Sequence, residues 1–195
     1  IIGVKICKDD QDILLSTQFG KCIRFKSKKL RLFKGRSSKG IKGIKLNEKD
    51  KVISLSILDN SQINSKTLNK DKKIKSALDR YILVVSENGY GKRSKLENYR
   101  ITNRGGKGVK TISITEKTGN LVSLKNVSDG DDLMIINKSG IAIRMEVNTL
   151  RVMGRATQGV RLINIKDNDS IAAVAKVVLD DQEVTDIEEI DVVED

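Results

Sequence analysis

The sequence predicts an all-β fold built from one four-stranded unit repeated three times. Three observations predict it. Apolar, β-rich runs recur ahead of a glycine turn, arginines recur at fixed distances from that glycine, and the body of the chain shows no helical periodicity.

The first element of each unit is a hairpin. Asp12-Ile-Leu-Leu-Ser-Thr-Gln-Phe-Gly20 leads into Lys-Cys-Ile-Arg24. Tyr81-Ile-Leu-Val-Val-Ser-Glu-Asn-Gly89 leads into Tyr-Gly-Lys-Arg93, and Asp132-Leu-Met-Ile-Ile-Asn-Lys-Ser-Gly140 into Ile-Ala-Ile-Arg144. Glycine supplies the positive φ that such a turn demands. The register then continues through Leu30-Arg31, Tyr99-Arg100 and Leu150-Arg151. A loop follows each: Arg36-Ser-Ser-Lys39-Gly40, Arg104-Gly-Gly-Lys107-Gly108 and Arg155-Ala-Thr-Gln158-Gly159. Third strands are expected at Ile41-Lys42-Gly-Ile44, Val109-Lys110-Thr-Ile112 and Val160-Arg161-Leu-Ile163. Alternation in the first of these puts its apolar side chains on one face and its lysines on the other. Closing strands are expected at Val52-Ile-Ser-Leu55, Leu121-Val-Ser-Leu124 and Ile171-Ala-Ala-Val174. Four strands per unit of about 50 residues is the size of a propeller-type blade.

This divides the chain into a closing strand of a preceding blade within 1–10, blades at 11–57, 80–127 and 128–179, a polar insert at 58–79 and an acidic tail at 180–195. The Ile1-Ile2-Gly3-Val4 start has neither an initiator Met nor a signal-peptide shape, so a piece of a longer chain is expected. In the tail, Val184, Ile187 and Ile190 recur at helical spacing, but disorder is the expectation there.

Composition narrows the function. The formal charge is +11, yet residues 180–195 hold nine acidic and no basic residues, which leaves +20 on the first 179. A body this basic attracts polyanions. Nine of the 11 arginines fall into three aligned triples, Arg24/Arg93/Arg144, Arg31/Arg100/Arg151 and Arg36/Arg104/Arg155, and Arg161 aligns with Lys42 and Lys110. A lysine-rich codon bias does not place arginines in phase with a structural repeat. Arg31, Arg36, Lys39, Lys42, Arg100, Arg104, Lys107, Lys110, Arg151, Arg155 and Arg161 are therefore the candidate nucleic-acid contacts, with loop glycines letting backbone N–H groups approach a phosphate. Arg24, Arg93 and Arg144 sit among apolar strand residues and have two readings, nucleic-acid contact or pairing with carboxylates between blades.

Other chemistries are excluded. Without histidine there is no Cys/His zinc site and no histidine-dependent triad, and Cys7 and Cys22 read as two small buried thiols. Gly89-Tyr-Gly91 and Gly105-Gly-Lys-Gly108 lack the helix and the Lys-Ser/Thr ending of a nucleotide loop. Tyr81 aligns with Asp12 and Asp132 at a strand start, so it reads as structural and not as a nucleophile. Aromatic residues make up 3% of the chain, too few for single-strand stacking platforms, which favours backbone contact with duplex DNA. No apolar run approaches the roughly 18 residues of a membrane span.

The pattern Ile-Arg-Phe, then Leu-Arg, then Arg-x-x-x-Gly-Ile/Val-x-x-Ile resembles the repeats in the C-terminal domain of the DNA gyrase A protein. So do Asn88-Gly-Tyr-Gly-Lys-Arg93 with Lys107-Gly-Val109, and Gly154-Arg155-Ala-Thr-Gln158-Gly159-Val160, which is close to that family's final blade. The resemblance implies a six-bladed β-pinwheel whose basic rim wraps DNA, with this chain as three blades plus one strand. The family's Gln-Arg-Arg-Gly-Gly-Lys-Gly box is approached only by Asn103-Arg104-Gly-Gly-Lys-Gly108, which lacks the Gln and the first Arg. The resemblance further implies a non-catalytic, cytoplasmic, nucleoid-associated part of an ATP-dependent topoisomerase. Its partners would be duplex DNA, the rest of the gyrase A protein and, through it, the gyrase B protein; ATP and Mg2+ would belong to other parts of that enzyme. Open alternatives are the paralogous C-terminal domain of topoisomerase IV, a propeller-like protein-interaction module and an RNA-binding β module.

Overall fold

The computed structural model describes residues 1–59, 80–166 and 169–177. The insert from residue 60 to 79 and the acidic tail lie outside the described residues. The elements are β1 (Asp12–Thr17), β2 (Lys21–Lys26), β3 (Val52–Leu58), β4 (Tyr81–Ser86), β5 (Tyr90–Lys95), β6 (Val109–Lys110), β7 (Leu121–Val127), β8 (Asp132–Asn137), β9 (Ala142–Glu146), β10 (Val160–Arg161) and β11 (Ile171–Val177). One-turn 3-10 segments follow β2, β5 and β9 at Ser27–Lys29, Leu96–Asn98 and Val147–Thr149. No helix among the described residues is long and apolar enough to cross a membrane.

The predicted hairpins form in register: Arg24 lies opposite Leu14, Arg93 opposite Leu83 and Arg144 opposite Met134. Gly20, Gly89 and Gly140 take φ of 74°, 75° and 87°, the left-handed region that a Cβ disfavours. Each closing strand pairs antiparallel with the first strand of its own unit and carries a bulge near one end. The first closing strand extends through Leu58, which is fully buried, so the first unit reaches one residue into the segment expected to be a polar insert.

The sheets do not coincide with the sequence units. Their orders are β3-β1-β2-β6, β7-β4-β5-β10 and β11-β8-β9. The short strands after the second and third basic loops therefore leave their own units: β6 pairs with β2 through Val109 and Cys22, and β10 with β5 through Val160 and Gly91. This corrects the expectation that each unit completes its own blade. The exchange requires close backbone approach. A Cβ on Gly108 would lie 2.5 Å from the Cys22 carbonyl oxygen, and one on Gly159 2.6 Å from that of Gly91. Two expected strands consequently do not form. Residues 41–44 are not a strand, since the equivalent segments pair on a preceding unit; instead their backbone meets the next basic loop, with Gly105 N–H donating to Gly43 O and Lys45 N–H to Gly106 O. The expected strand at Ile2–Ile6 is likewise absent, and this segment lies exposed with no ladder partner among the described strands.

The first strands are buried on both faces, so they read as continuous apolar runs. Ile82 and Val84 of β4 enter a core with Leu14, Cys22, Leu58 and Tyr99 from the two sides of the first junction. Tyr81, Leu83 and Val85 enter the next core with Leu133, Ile135, Val147 and Leu150. Closing strand β7 contacts both β3 and β11, so the closing strands gather on one side of the stack. Strands β6 and β10, with the loops that precede them, lie on the opposite edges of their sheets.

Candidate nucleic-acid interface

The arginines divide by environment. Arg24 and Arg93 are 8% exposed and fasten one unit to the next. Arg24 Nε donates to Asp12 Oδ2 at 2.8 Å, and Nη1 donates to the Tyr99 carbonyl of the next unit at 3.2 Å. Arg93 pairs with Asp129, donates Nε–H to Leu150 O at 2.6 Å and Nη2–H to Asn148 O at 3.0 Å, and lies 4.5 Å from the centre of the Tyr81 ring. The between-blade carboxylate pairing holds for Arg93, whose Asp129 lies in the next unit, but not for Arg24, which takes its carboxylate from its own hairpin and crosses to the next unit through the Tyr99 carbonyl. Arg144 makes the same pair with Asp132, Nε to Oδ2 2.7 Å, but its side chain is half exposed because β9 has no neighbour on its outer side among the described residues. Tyr81, aligned with two aspartates, is buried beneath a guanidinium, in keeping with a structural residue.

The candidate contact residues lie outside the cores. Arg31, Arg36, Lys39, Lys42, Arg100, Lys107, Lys110, Arg151 and Arg161 are exposed, while Arg104 and Arg155 are half-buried. These last two are staples as well as charges. Arg104 donates Nη1–H to Lys42 O and Nε–H to Lys29 O, each at 3.3 Å, and Arg155 donates Nη1–H to Lys110 O at 2.7 Å. Lys42 and Lys110 are equivalent positions, so the same side chain ties the second and third basic loops to their preceding units. A guanidinium has five N–H donors, so both arginines retain donors for a phosphate. Arg161 donates to the Tyr90 hydroxyl from Nε at 3.3 Å and Nη2 at 3.1 Å, and this hydrogen bond is the leading cause of the lowered Tyr90 pKa. Arg31 stacks on the exposed Phe33 ring, 4.9 Å from its centre.

An open depression sits at each junction. Lys26, Lys29, Ile101, Thr102 and Asn103 line the first, about 300 Å3. Asn98, Gly154, Arg155, Ala156 and Thr157 line the second, about 470 Å3. Lys29 and Asn98 are equivalent positions, so the surface repeats along with the fold.

Residues 11–59, 80–128 and 131–177 match the sequence profile of the family described as DNA gyrase C-terminal domain, beta-propeller. The chain belongs to the DNA gyrase C-terminal domain family. It is 40% identical over 195 residues to the DNA gyrase A protein of Staphylococcus aureus (strain MRSA252), covering 100% of this chain and 20% of that protein. It thus spans about a fifth of the length of this curated relative. A solved DNA gyrase A C-terminal domain superposes with a TM-score of 0.72 at 26% identity, over 89% of this chain and 52% of that one. The C-terminal domain of DNA topoisomerase IV shares the fold, with a TM-score of 0.72 at 19% identity over 87% and 47% of the two chains.

Within this gyrase-type frame, two side chains depart from the sequence reading. Cys22 is buried, and burial pushes its thiol pKa well up, but Cys7 is exposed, which corrects the pairing of the two as buried thiols. Lys92, a strand lysine that sequence reasoning passed over, is completely buried. Its Nζ donates to the carbonyls of Gly154 (2.5 Å), Arg155 (2.7 Å) and Thr157 (2.9 Å) and to Thr157 Oγ1 (2.9 Å). The signal that could have found it is the repeat: Ile23 and Ile143 hold the equivalent positions.

Proposed function

We propose that this chain is the DNA-wrapping, non-catalytic C-terminal part of a DNA gyrase A protein. The observation that carries the reading is the repetition of the basic loop. Arg104 and Arg155 are each stapled to the preceding unit beside an open junction depression, lined by Asn103 at the first and by Arg155 itself at the second, with further exposed cations on the rim. Wrapping requires many phosphate contacts along a curved path and little reading of bases. Bending a 20–30 bp segment by 40–90° costs about 1–6 kcal/mol, which counterion release at several Arg and Lys contacts offsets.

The contact set is Arg31, Arg36, Lys39, Lys42, Arg100, Arg104, Lys107, Lys110, Arg151, Arg155 and Arg161. Duplex DNA, the rest of the gyrase A protein and, through it, the gyrase B protein are the partners, in the cytoplasm. The chain itself holds no cofactor, and ATP and Mg2+ act elsewhere in the assembly. The DNA segment held here lies beside the cleavage site, and its curvature gives strand passage a direction that favours negative supercoiling.

The test is ligation of nicked circular DNA with increasing protein, followed by linking-number analysis. A shift that grows with protein is expected. Binding without any shift would reduce the chain to a plain basic binding module.

A further inference from the structure

We propose that the loop at residues 154–158 is a preorganised backbone nest for a phosphodiester, held open by the buried ammonium of Lys92; this rests on the DNA-wrapping reading and specifies one of its contact points. Three carbonyls of the loop, those of Gly154, Arg155 and Thr157, converge on Lys92 Nζ within 2.9 Å. In a trans peptide the N–H of the following residue points opposite to the carbonyl, and no peptide bond here is cis. The N–H groups of Arg155, Ala156 and Gln158 therefore project from the other side of the loop. None of the three donates a hydrogen bond to another backbone group among the described residues. Successive outward N–H groups form an anion-binding concavity.

The surroundings fit a phosphate. Asn98, Gly154, Arg155, Ala156 and Thr157 line the open depression of about 470 Å3. Arg155 uses Nη1 on the Lys110 carbonyl and keeps further donors, and Gln158 is fixed by Nε2 donation to Thr115 Oγ1 at 3.0 Å. Lys92 itself cannot reach a ligand, since it is fully buried behind the loop, so it is a positioning residue. Burial, and secondarily the Arg155 charge, push its pKa down to about 8, while four oxygens around Nζ favour the charged form.

The equivalent loop at 104–108 is built differently. Its Gly105 N–H is already spent on Gly43 O at 2.6 Å, and the residue beneath it is Ile23, not a lysine. The two loops are therefore unequal phosphate contacts: one acts through side-chain charge, the other through side-chain charge plus backbone amides.

The experiment is an amide-resolved NMR titration of the 195-residue chain, first with a short DNA duplex and then with inorganic phosphate. The expected result is movement of the Arg155, Ala156 and Gln158 amide signals with both probes, and of the 104–108 signals with duplex only. Lys92→Met should abolish that movement and weaken duplex binding about tenfold, while signals of the 104–108 loop still respond to duplex. Thr157→Val, which removes one oxygen from Nζ and leaves the ammonium in place, should keep the amide response in weakened form, and it stands in if Lys92→Met fails to fold. Response of the 104–108 loop to duplex without any at 155–158 in the wild-type chain overturns the nest. Absence of response at both loops overturns the DNA-wrapping reading itself.

Discussion

The two inter-unit junctions share one backbone plan and differ in chemistry. At the first, a buried guanidinium faces a fully buried carboxylate, Arg24 with Asp12, and Ile23 lies under the basic loop. At the second, Arg93 rests on the Tyr81 ring, its carboxylate is the partly exposed Asp129 from the next unit, and Lys92 replaces the isoleucine. What is held constant is the donation from the arginine to carbonyls of the following 3-10 turn; its counter-charge is exchangeable. The backbone acceptors thus define the junction, whereas the neutralising carboxylate comes from the arginine's own unit at the first and from the next unit at the second.

The largest expected effect breaks the first junction. Arg24→Ala leaves Asp12 with no exposure and without its main partner, whose remaining cation, Lys26 Nζ, is 3.5 Å away. Removing one member of a buried pair costs about 3–5 kcal/mol. Arg93→Ala should cost less, about 2–3 kcal/mol, because Asp129 can turn to water while the Leu150 and Asn148 carbonyls lose a charged donor. Urea unfolding of the two variants tests the order, and equal losses would mean that the two counter-charges are energetically equivalent. Tyr81→Leu then isolates the ring contribution. Loss of the cation–π contact with a desolvated guanidinium should lower stability by about 1–2 kcal/mol, read from the same unfolding curves.

The rim predicts an effect on binding instead of stability. Reversing Arg104 and Lys107 to Glu removes two candidate phosphate contacts, so the slope of log affinity against log salt should fall by about 2. Some loss of stability should accompany it, since Arg104 also ties its loop to Lys29 and Lys42. An unchanged slope in DNA titrations at several salt concentrations would remove these two residues from the contact set.

The hairpins and their arginines were legible because a hairpin is local: Gly20, Gly89 and Gly140 announce the turn, and fixed spacing then sets Arg24, Arg93 and Arg144 opposite Leu14, Leu83 and Met134. The strand exchange was not legible. The segments Ile41–Ile44 and Val109–Ile112 have equivalent patterns, yet only the second contains a strand, because pairing depends on whether a preceding unit offers an edge. The candidate contacts were found by charge and phase. Lys92 was missed because a lysine within an alternating strand reads as solvent-facing, and only the loop folded over it makes it buried.

The smallest effect separates the junctions by pH. Lys92 has its pKa pushed down from 10.5 to about 8, whereas the first junction has an isoleucine in that place. Above pH 8 the native state releases this proton while the unfolded chain still holds it, so the unfolded state binds more protons and folding stability from this group rises with pH. From about pH 7.5 to about pH 9 the gain should be about 1 kcal/mol, less to the extent that the four oxygens around Nζ retain the proton. In Lys92→Met that rise should vanish, leaving the pH profile set by the other groups. A wild-type profile that matches the variant across this window would mean that the ammonium keeps its charge in the folded chain. The carbonyl cage would then outweigh burial, and the nest at 154–158 would stay formed throughout the alkaline range.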